Sequence, residues 1–292
     1  MTIDCTWLMD PESPVRLPGA NLEAVLEAVG TGVYEGFRTH GGIRVYLWGA
    51  HLLRLEAGRA ALGLGTHLDM YVVGTWVSQV LDQLAQEHPN TDFKVRLDLA
   101  DGDLAALGPA GVGQRLALQA WPVTNLPEEL LRTGVSCALE RQLTREQPEI
   151  KGTDYSLQRA RHPFPGGENY ESILISPDGY LLEGVMSGLV LRIAGELRTA
   201  GLGVLPSITV SDACGLAEAR GLTISRKPVH LDELDQVTEA FLASSVRFLV
   251  PIVNIDGRTI GDGTPGELTL ELRRAMVERA SHAAKRPDFS NA

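Results

Sequence analysis

The sequence predicts an α+β fold built on two mixed sheets, and three stretches carry that reading. FKVRLDLA alternates strictly, with Phe93, Val95, Leu97 and Leu99 on one face and Lys94, Arg96 and Asp98 on the other. MYVVGTWVSQVLDQLAQEH has the spacing of an amphipathic helix, and ESILISPDGYLLEG is a hairpin signal with Pro-Asp-Gly at its turn. At 292 residues and 44% hydrophobic, the chain can bury the core of two ordinary domains or one large one.

The remaining elements follow in order. VYEGFRTHGGIRVYLWGAHLLRLEAGRAALGL reads as strand, glycine turn at Gly41-Gly42, strand, then a helix with Leu52, Leu55 and Leu62 on one face. GDLAALGPAGVG is an irregular turn ahead of the strand RLALQAWPV, and VTNLPEELLRTG crosses to a second domain. Division is therefore expected at 1–120, a linker at 121–130, and 131–292. In the second half, SDACGLAEARGL is a helix with Ser211 or Asp212 near its start and Gly221 at its end. Strands over TEAFLASSVRFLVPIVNIDGRTI and a last helix around GELTLELRRAMVERA follow, and the tail HAAKRPDFSNA is expected to fray.

Composition narrows the function. A formal net charge of -11 repels phosphate backbones, so no nucleic-acid partner is expected. No run of 18 apolar, uncharged residues is present, and MTIDCTWLMDPESP places acids where a secretory signal needs a basic start, so a cytoplasmic protein with no membrane partner is expected. Cys5, Cys137 and Cys214 are too few and too spread for a disulfide framework, and the seven histidines lack metal-ligand spacing. GxSxG is also missing.

Lysine occurs only at 94, 151, 227 and 285, which shortens the candidates for an amine nucleophile. Lys151 opens KGTDYSLQ after an acidic, proline-containing stretch; it is either that nucleophile or an ordinary solvated lysine. Ser207, Thr209 and Ser211 in LPSITVSDACGLAEA lead into a helix, as caps or as contacts to an anion. Ser244 and Ser245 in LASSVRF suit a turn or the same anion. Glu183 ends an apolar strand and needs either water or a proton donor. Arg54 in HLLRL, on a helix that otherwise faces the core, needs an anion or a carboxylate partner.

In order and spacing these pieces resemble the branched-chain aminotransferase-like, fold-type IV (class IV) family of pyridoxal 5′-phosphate enzymes, which includes D-amino-acid aminotransferases and 4-amino-4-deoxychorismate lyases. The resemblance runs from about Gly30 to Leu272. VYEGFR is similar to the family's aromatic-Glu-Gly strand, and HLLRL to the H-x-x-R-L helix whose arginine, here Arg54, holds the cofactor phosphate. Lys151, followed by Asp154-Tyr155, falls on the Schiff-base lysine and its tyrosine. Glu183 matches the acid at the pyridine nitrogen, LPSIT supplies Ile208 and Thr209 as the phosphate loop, and Ser245 is the last phosphate contact. The resemblance implies a smaller N-terminal α/β domain, a larger C-terminal mixed-sheet domain with the cofactor between them, and a homodimer.

Several positions depart from the pattern: Asp154 stands for asparagine, Ser187-Gly188 for Ser/Glu-Asn, Ser207 for glycine, Val210 for arginine, Phe248 for glutamate and Val250 for threonine. The activity implied is transamination between an amino acid, branched-chain or similarly apolar, and a 2-oxo acid. Aminodeoxychorismate-type lyase chemistry and a non-catalytic homologue are the alternatives. Arg38 or Arg96 would bind a substrate carboxylate or make a surface ion pair, and Tyr34, Phe37 and Trp121 would line a side-chain pocket or pack in the core.

Overall fold

The computed structural model describes residues 5–9, 13–17, 22–65, 67–101, 116–162 and 169–289; the GDLAALGPAGVG turn lies outside them. Two compact units emerge. One gathers Met1–Thr124, Ile150–Leu157 and Ala280–Ala292, the other Asn125–Glu149 and Gln158–Arg279. The units are of nearly equal length, and the segment bearing Lys151 belongs with the first.

The sheet of the first unit has the order β2 (Val15–Leu17), β1 (Cys5–Leu8), β6 (Leu116–Pro122), β5 (Phe93–Ala100), β3 (Gly32–His40), β4 (Arg44–Val45). Every neighbouring pair is antiparallel, so the mixed pairing expected of both sheets is confined to the second unit. Phe93, Val95, Leu97 and Leu99 of β5 join a core with residues of α2 (Trp48–Leu62) and α3 (Met70–Glu87). The other face of β5 is not a solvated one: Lys94 is exposed, yet Arg96 and Asp98 are buried. There α1 (Leu22–Val29) packs Val25 and Val29 with Leu8, Leu17, Ala100 and Ala117. Gly63, left-handed at φ 67, closes α2, and the Asp69 carboxylate caps α3 by accepting the N–H groups of Tyr71 and Val72.

The sheet of the second unit runs β12 (Ile224–Ser225), β11 (Glu196–Arg198), β10 (Gly188–Ile193), β13 (Val237–Ser244), β14 (Phe248–Ile255), β7 (Val135–Glu140), β8 (Asn169–Ile175), β9 (Leu181–Gly184), with β15 (Arg258–Thr259) on β14. The pairs β11–β12, β14–β7 and β7–β8 are parallel. The expected β8–β9 hairpin forms, with Gly179 at φ 87 in its turn. Two short helices, α4 (Glu128–Thr133) and α5 (Thr153–Arg161), precede α6 (Ile208–Glu218) and α7 (Glu267–Ala283). α6 starts a turn earlier than the sequence suggested, because the Ser207 hydroxyl accepts the Val210 N–H as its cap and leaves Ser211 exposed in the first turn. Among the described residues no helix is long and apolar enough to cross a membrane.

The tail is not frayed through Phe289. Lys285 pairs with Val45 in both directions, the Trp48 indole N–H donates to the Pro287 carbonyl at 2.8 Å, and Arg286 forks onto Asp82 at 2.7 and 2.9 Å. Gly74 of α3 makes room for this: a Cβ there would overlap the Pro287 carbonyl oxygen. Gly→Ala inside a helix ordinarily stabilises by about 1 kcal/mol. With the tail docked, Gly74→Ala instead lowers the melting temperature and exposes the C-terminus to limited proteolysis; a more stable variant with an unchanged digestion pattern would mean the tail is loose.

Candidate active site

In the first unit the chain around Lys151 is sewn to the end of β3. The Tyr34 N–H donates to the Lys151 carbonyl at 2.9 Å, Val33 and Gly152 form a bridge, and the Thr153 hydroxyl donates to the carbonyls of Gly30 and Gly32 at 2.7 and 3.2 Å. With its backbone held, the half-buried Lys151 places Nζ 4.7 Å from the centre of the Tyr34 ring. The Arg96 guanidinium lies 3.7 Å from the same ring. Arg96 is itself forked onto Asp98 at 2.7–3.0 Å and donates to the Ser156 hydroxyl at 2.9 Å, so β5 also grips α5 just past the lysine. Tyr155 is buried on that helix, whereas Asp154, a departure from the family pattern, is exposed.

Beside this cluster, Glu35 is fully buried and receives three donors at 2.7 Å: Arg54 Nε, Arg54 Nη2 and His51 Nδ1. Burial alone pushes the Glu35 carboxyl up. The charge and hydrogen bonds of Arg54 and those of His51 outweigh it and bring the pKa down from 4.5 to about 2. Burial pushes the His51 imidazole down, against the pull of Glu35 and helped by Arg54 and Lys151, so the neutral ring donates its Nδ1–H. The anion that Arg54 needed is therefore a protein carboxylate, which also fixes the plane of its guanidinium.

The second unit carries the other expected residues. Glu183 is 3% exposed, ion-paired with Arg145 at 2.9 Å, and accepts the Leu205 N–H at 3.2 Å. Gly184 after it is required sterically, because a Cβ would overlap the carboxylate of Glu171. Burial pushes that carboxyl up, against the Met186 N–H at 2.8 Å and the Ser187 hydroxyl at 2.9 Å, and the two contacts clamp the loop that follows Glu183. At the start of α6, Thr209 Oγ1 and Ser245 Oγ lie 3.1 Å apart, with Ile208 half-buried next to them. Two hydroxyls beside first-turn amides fit a phosphate, and a buried carboxylate fits a protonated ring nitrogen.

The structure thus brings Lys151, Tyr155, Tyr34, Arg54 and Arg96 into one unit and Glu183, Ile208, Thr209 and Ser245 into the other. Four of the residues considered for substrate have protein partners of their own. Phe37 is 1% exposed and packs edge-on to Trp48 at 5.4 Å, so it is core. Arg38 meets Asp92 at 3.4 Å, and Arg96 is already neutralised by Asp98. Trp121 lies beneath Lys94 Nζ at 5.3 Å. Sequence reasoning missed Asp98, His51, Arg145 and Glu171. Two had a visible signal: Asp98, an acid two residues from Arg96 on the same strand face, and His51, the first residue of HLLRL.

Comparison with known proteins follows this geometry. The family model for amino-transferase class IV matches residues 32–255. The chain is 27% identical over 253 residues to D-alanine aminotransferase of Bacillus licheniformis, covering 85% of this chain and 87% of that one. It is 24% identical over 291 residues to the branched-chain-amino-acid aminotransferase of Escherichia coli strain K12, covering 90% and 89%. The solved structure of a hypothetical aminotransferase from Mycobacterium tuberculosis, in its PLP-bound form, has a TM-score of 0.71 at 21% identity, covering 94% of this chain and 98% of that one, which shows a shared fold.

The Glu35 cluster makes a pH-dependent prediction. A folded-state pKa below the ordinary value means that protonation favours the unfolded chain, so this contribution is full above about 4.5 and is lost as pH falls through about 2. Glu35→Gln leaves Arg54 without its buried anion and costs on the order of 3 kcal/mol at neutral pH. In denaturant titrations the gap between wild type and variant narrows steadily from pH 4.5 downward; a gap that is constant with pH would contradict the assignment.

Proposed function

This chain belongs to the class IV aminotransferases, and on that premise we propose that Lys151 is its catalytic amine and that branched-chain or similarly apolar amino acids are its donors. The activity is pyridoxal 5′-phosphate-dependent transfer of an amino group between an amino acid and a 2-oxo acid. The bound cofactor supplies the carbonyl that accepts the amino group and a ring that withdraws electrons from the α carbon. The chain's residues do the rest. Lys151 Nζ takes the substrate α proton and returns it, from a position limited by the Tyr34 ring. Glu183, ion-paired with Arg145 at 2.9 Å, would be the carboxylate that faces the ring nitrogen. Thr209, Ser245 and the first-turn amides of Ile208 and Thr209 would take the phosphate; Arg54, held in a fork by Glu35, is the arginine to which the family resemblance gives a phosphate role. Tyr155, buried on α5, would be a further cofactor contact.

The observation that supports this reading is the placing of Lys151: its carbonyl and the two residues after it are bonded to β3, and its half-buried side chain lies with Nζ 4.7 Å from the Tyr34 ring, whereas Lys94, equally paired through its backbone, is exposed. The relative named for branched-chain amino acids supports the donor class. A second reading, D-amino acids, is favoured by the relative named D-alanine aminotransferase. We extend the proposal to a cytoplasmic homodimer, which sedimentation of the purified protein tests.

Assay with L-leucine, L-valine, L-isoleucine and D-alanine, each with 2-oxoglutarate, separates the two donor readings. Pyruvate released from aminodeoxychorismate without any acceptor would point to a lyase. Lys151→Ala is expected to lose the visible cofactor band and at least about 10²–10⁴-fold in turnover from proton transfer alone. Thr209→Ala and Ser245→Ala are each expected to weaken cofactor binding about tenfold, read by fluorescence titration; full turnover in Lys151→Ala would overturn the proposal.

A further inference from the structure

Three of the departures from the family pattern turn out to be one packing event. Gly188 opens β10, opposite Ala243 of β13. Its φ is not positive, so the backbone does not demand glycine there. The demand is steric: a Cβ at 188 would overlap Cγ2 of Val210 and come within 3.2 Å of both Cβ and Oγ of Ser207. Ser207 is the cap of α6 and accepts the Val210 N–H at 3.2 Å, while Val210 is buried at 8% exposure. Between them in sequence lies Thr209, whose hydroxyl meets Ser245, two residues beyond the Ala243 that faces Gly188.

We infer that Gly188 is a positioning residue: by giving up its side chain it lets Ser207 and Val210 close the first turn of α6 onto β10, and so sets the Thr209–Ser245 hydroxyl pair for a phosphate. The inference rests on the reading of that pair as the phosphate contact. Gly188 touches neither cofactor nor substrate and acts through the seat of the helix. Filling the gap pushes the α6 turn outward and parts the two hydroxyls; emptying Val210 at the same time restores the seat.

The test compares pyridoxal 5′-phosphate with pyridoxal, which lacks the phosphate, by fluorescence titration of apoprotein. Gly188→Ala is expected to weaken pyridoxal 5′-phosphate binding about tenfold while pyridoxal binding is unchanged, and Gly188→Ala with Val210→Ala is expected to recover the phosphate preference. Circular dichroism and cooperative melting check that each variant is folded. A Gly188→Ala protein that binds pyridoxal 5′-phosphate like wild type, or loses both ligands equally, overturns the inference. So does a double variant that folds without recovering, or one that fails to fold. If wild type does not prefer the phosphorylated ligand, or Thr209→Ala and Ser245→Ala leave its affinity intact, the underlying phosphate reading fails instead.

Discussion

The hydrogen bond from the Tyr34 N–H to the Lys151 carbonyl fixes the backbone beneath the amine that we propose as catalytic. A lysine side chain carries about 2 kcal/mol of rotamer entropy, so its nitrogen has a defined place only if the backbone beneath it is fixed. Here β3 fixes it, with the Thr153 hydroxyl and the Val33–Gly152 bridge as further stitches. β3 in turn needs close neighbours. A Cβ at Gly32 would overlap the Leu99 carbonyl oxygen, and one at Gly58 would come within 2.9 Å of Val33 Cγ1. Small residues on β3 and α2 therefore bear on the place of an amine far from them in sequence.

Charge is the second constraint. Burying a cation costs several kcal/mol unless an acid is at hand. Three arginines of the candidate site meet that condition inside their own unit: Arg54 with Glu35, Arg96 with Asp98, Arg145 with Glu183. The pairing decides what each can do. Arg96, paired with Asp98 and bonded to Ser156, holds the helix that follows the lysine and the Tyr34 ring, a different task from capturing a substrate carboxylate in the open. Arg54, locked in a fork with Glu35, presents a guanidinium of fixed orientation.

Much of this was legible in the sequence where a period or a rare residue carried it. Alternation marked β5 and its apolar face, and the scarcity of lysine drew attention to position 151. Alternation could not reveal that Arg96 and Asp98 on the polar face of β5 are buried too, because that depends on Asp98 neutralising Arg96. Arg145 and Glu171 gave no signal: one sits in an irregular polar stretch, the other at the head of an apolar strand, and each is recognised only by the group it meets in space. The tail looked loose from its composition, yet the gap left by Gly74 and the indole of Trp48 hold it.

The most direct test is to load the purified protein with pyridoxal 5′-phosphate, reduce it with borohydride, digest it and locate the modified lysine by mass spectrometry. A phosphopyridoxyl group on the peptide containing Lys151, and on no other lysine, is the expected result. Modification spread over Lys94, Lys227 and Lys285, or none at all, would contradict the assignment of Lys151 as the reacting amine.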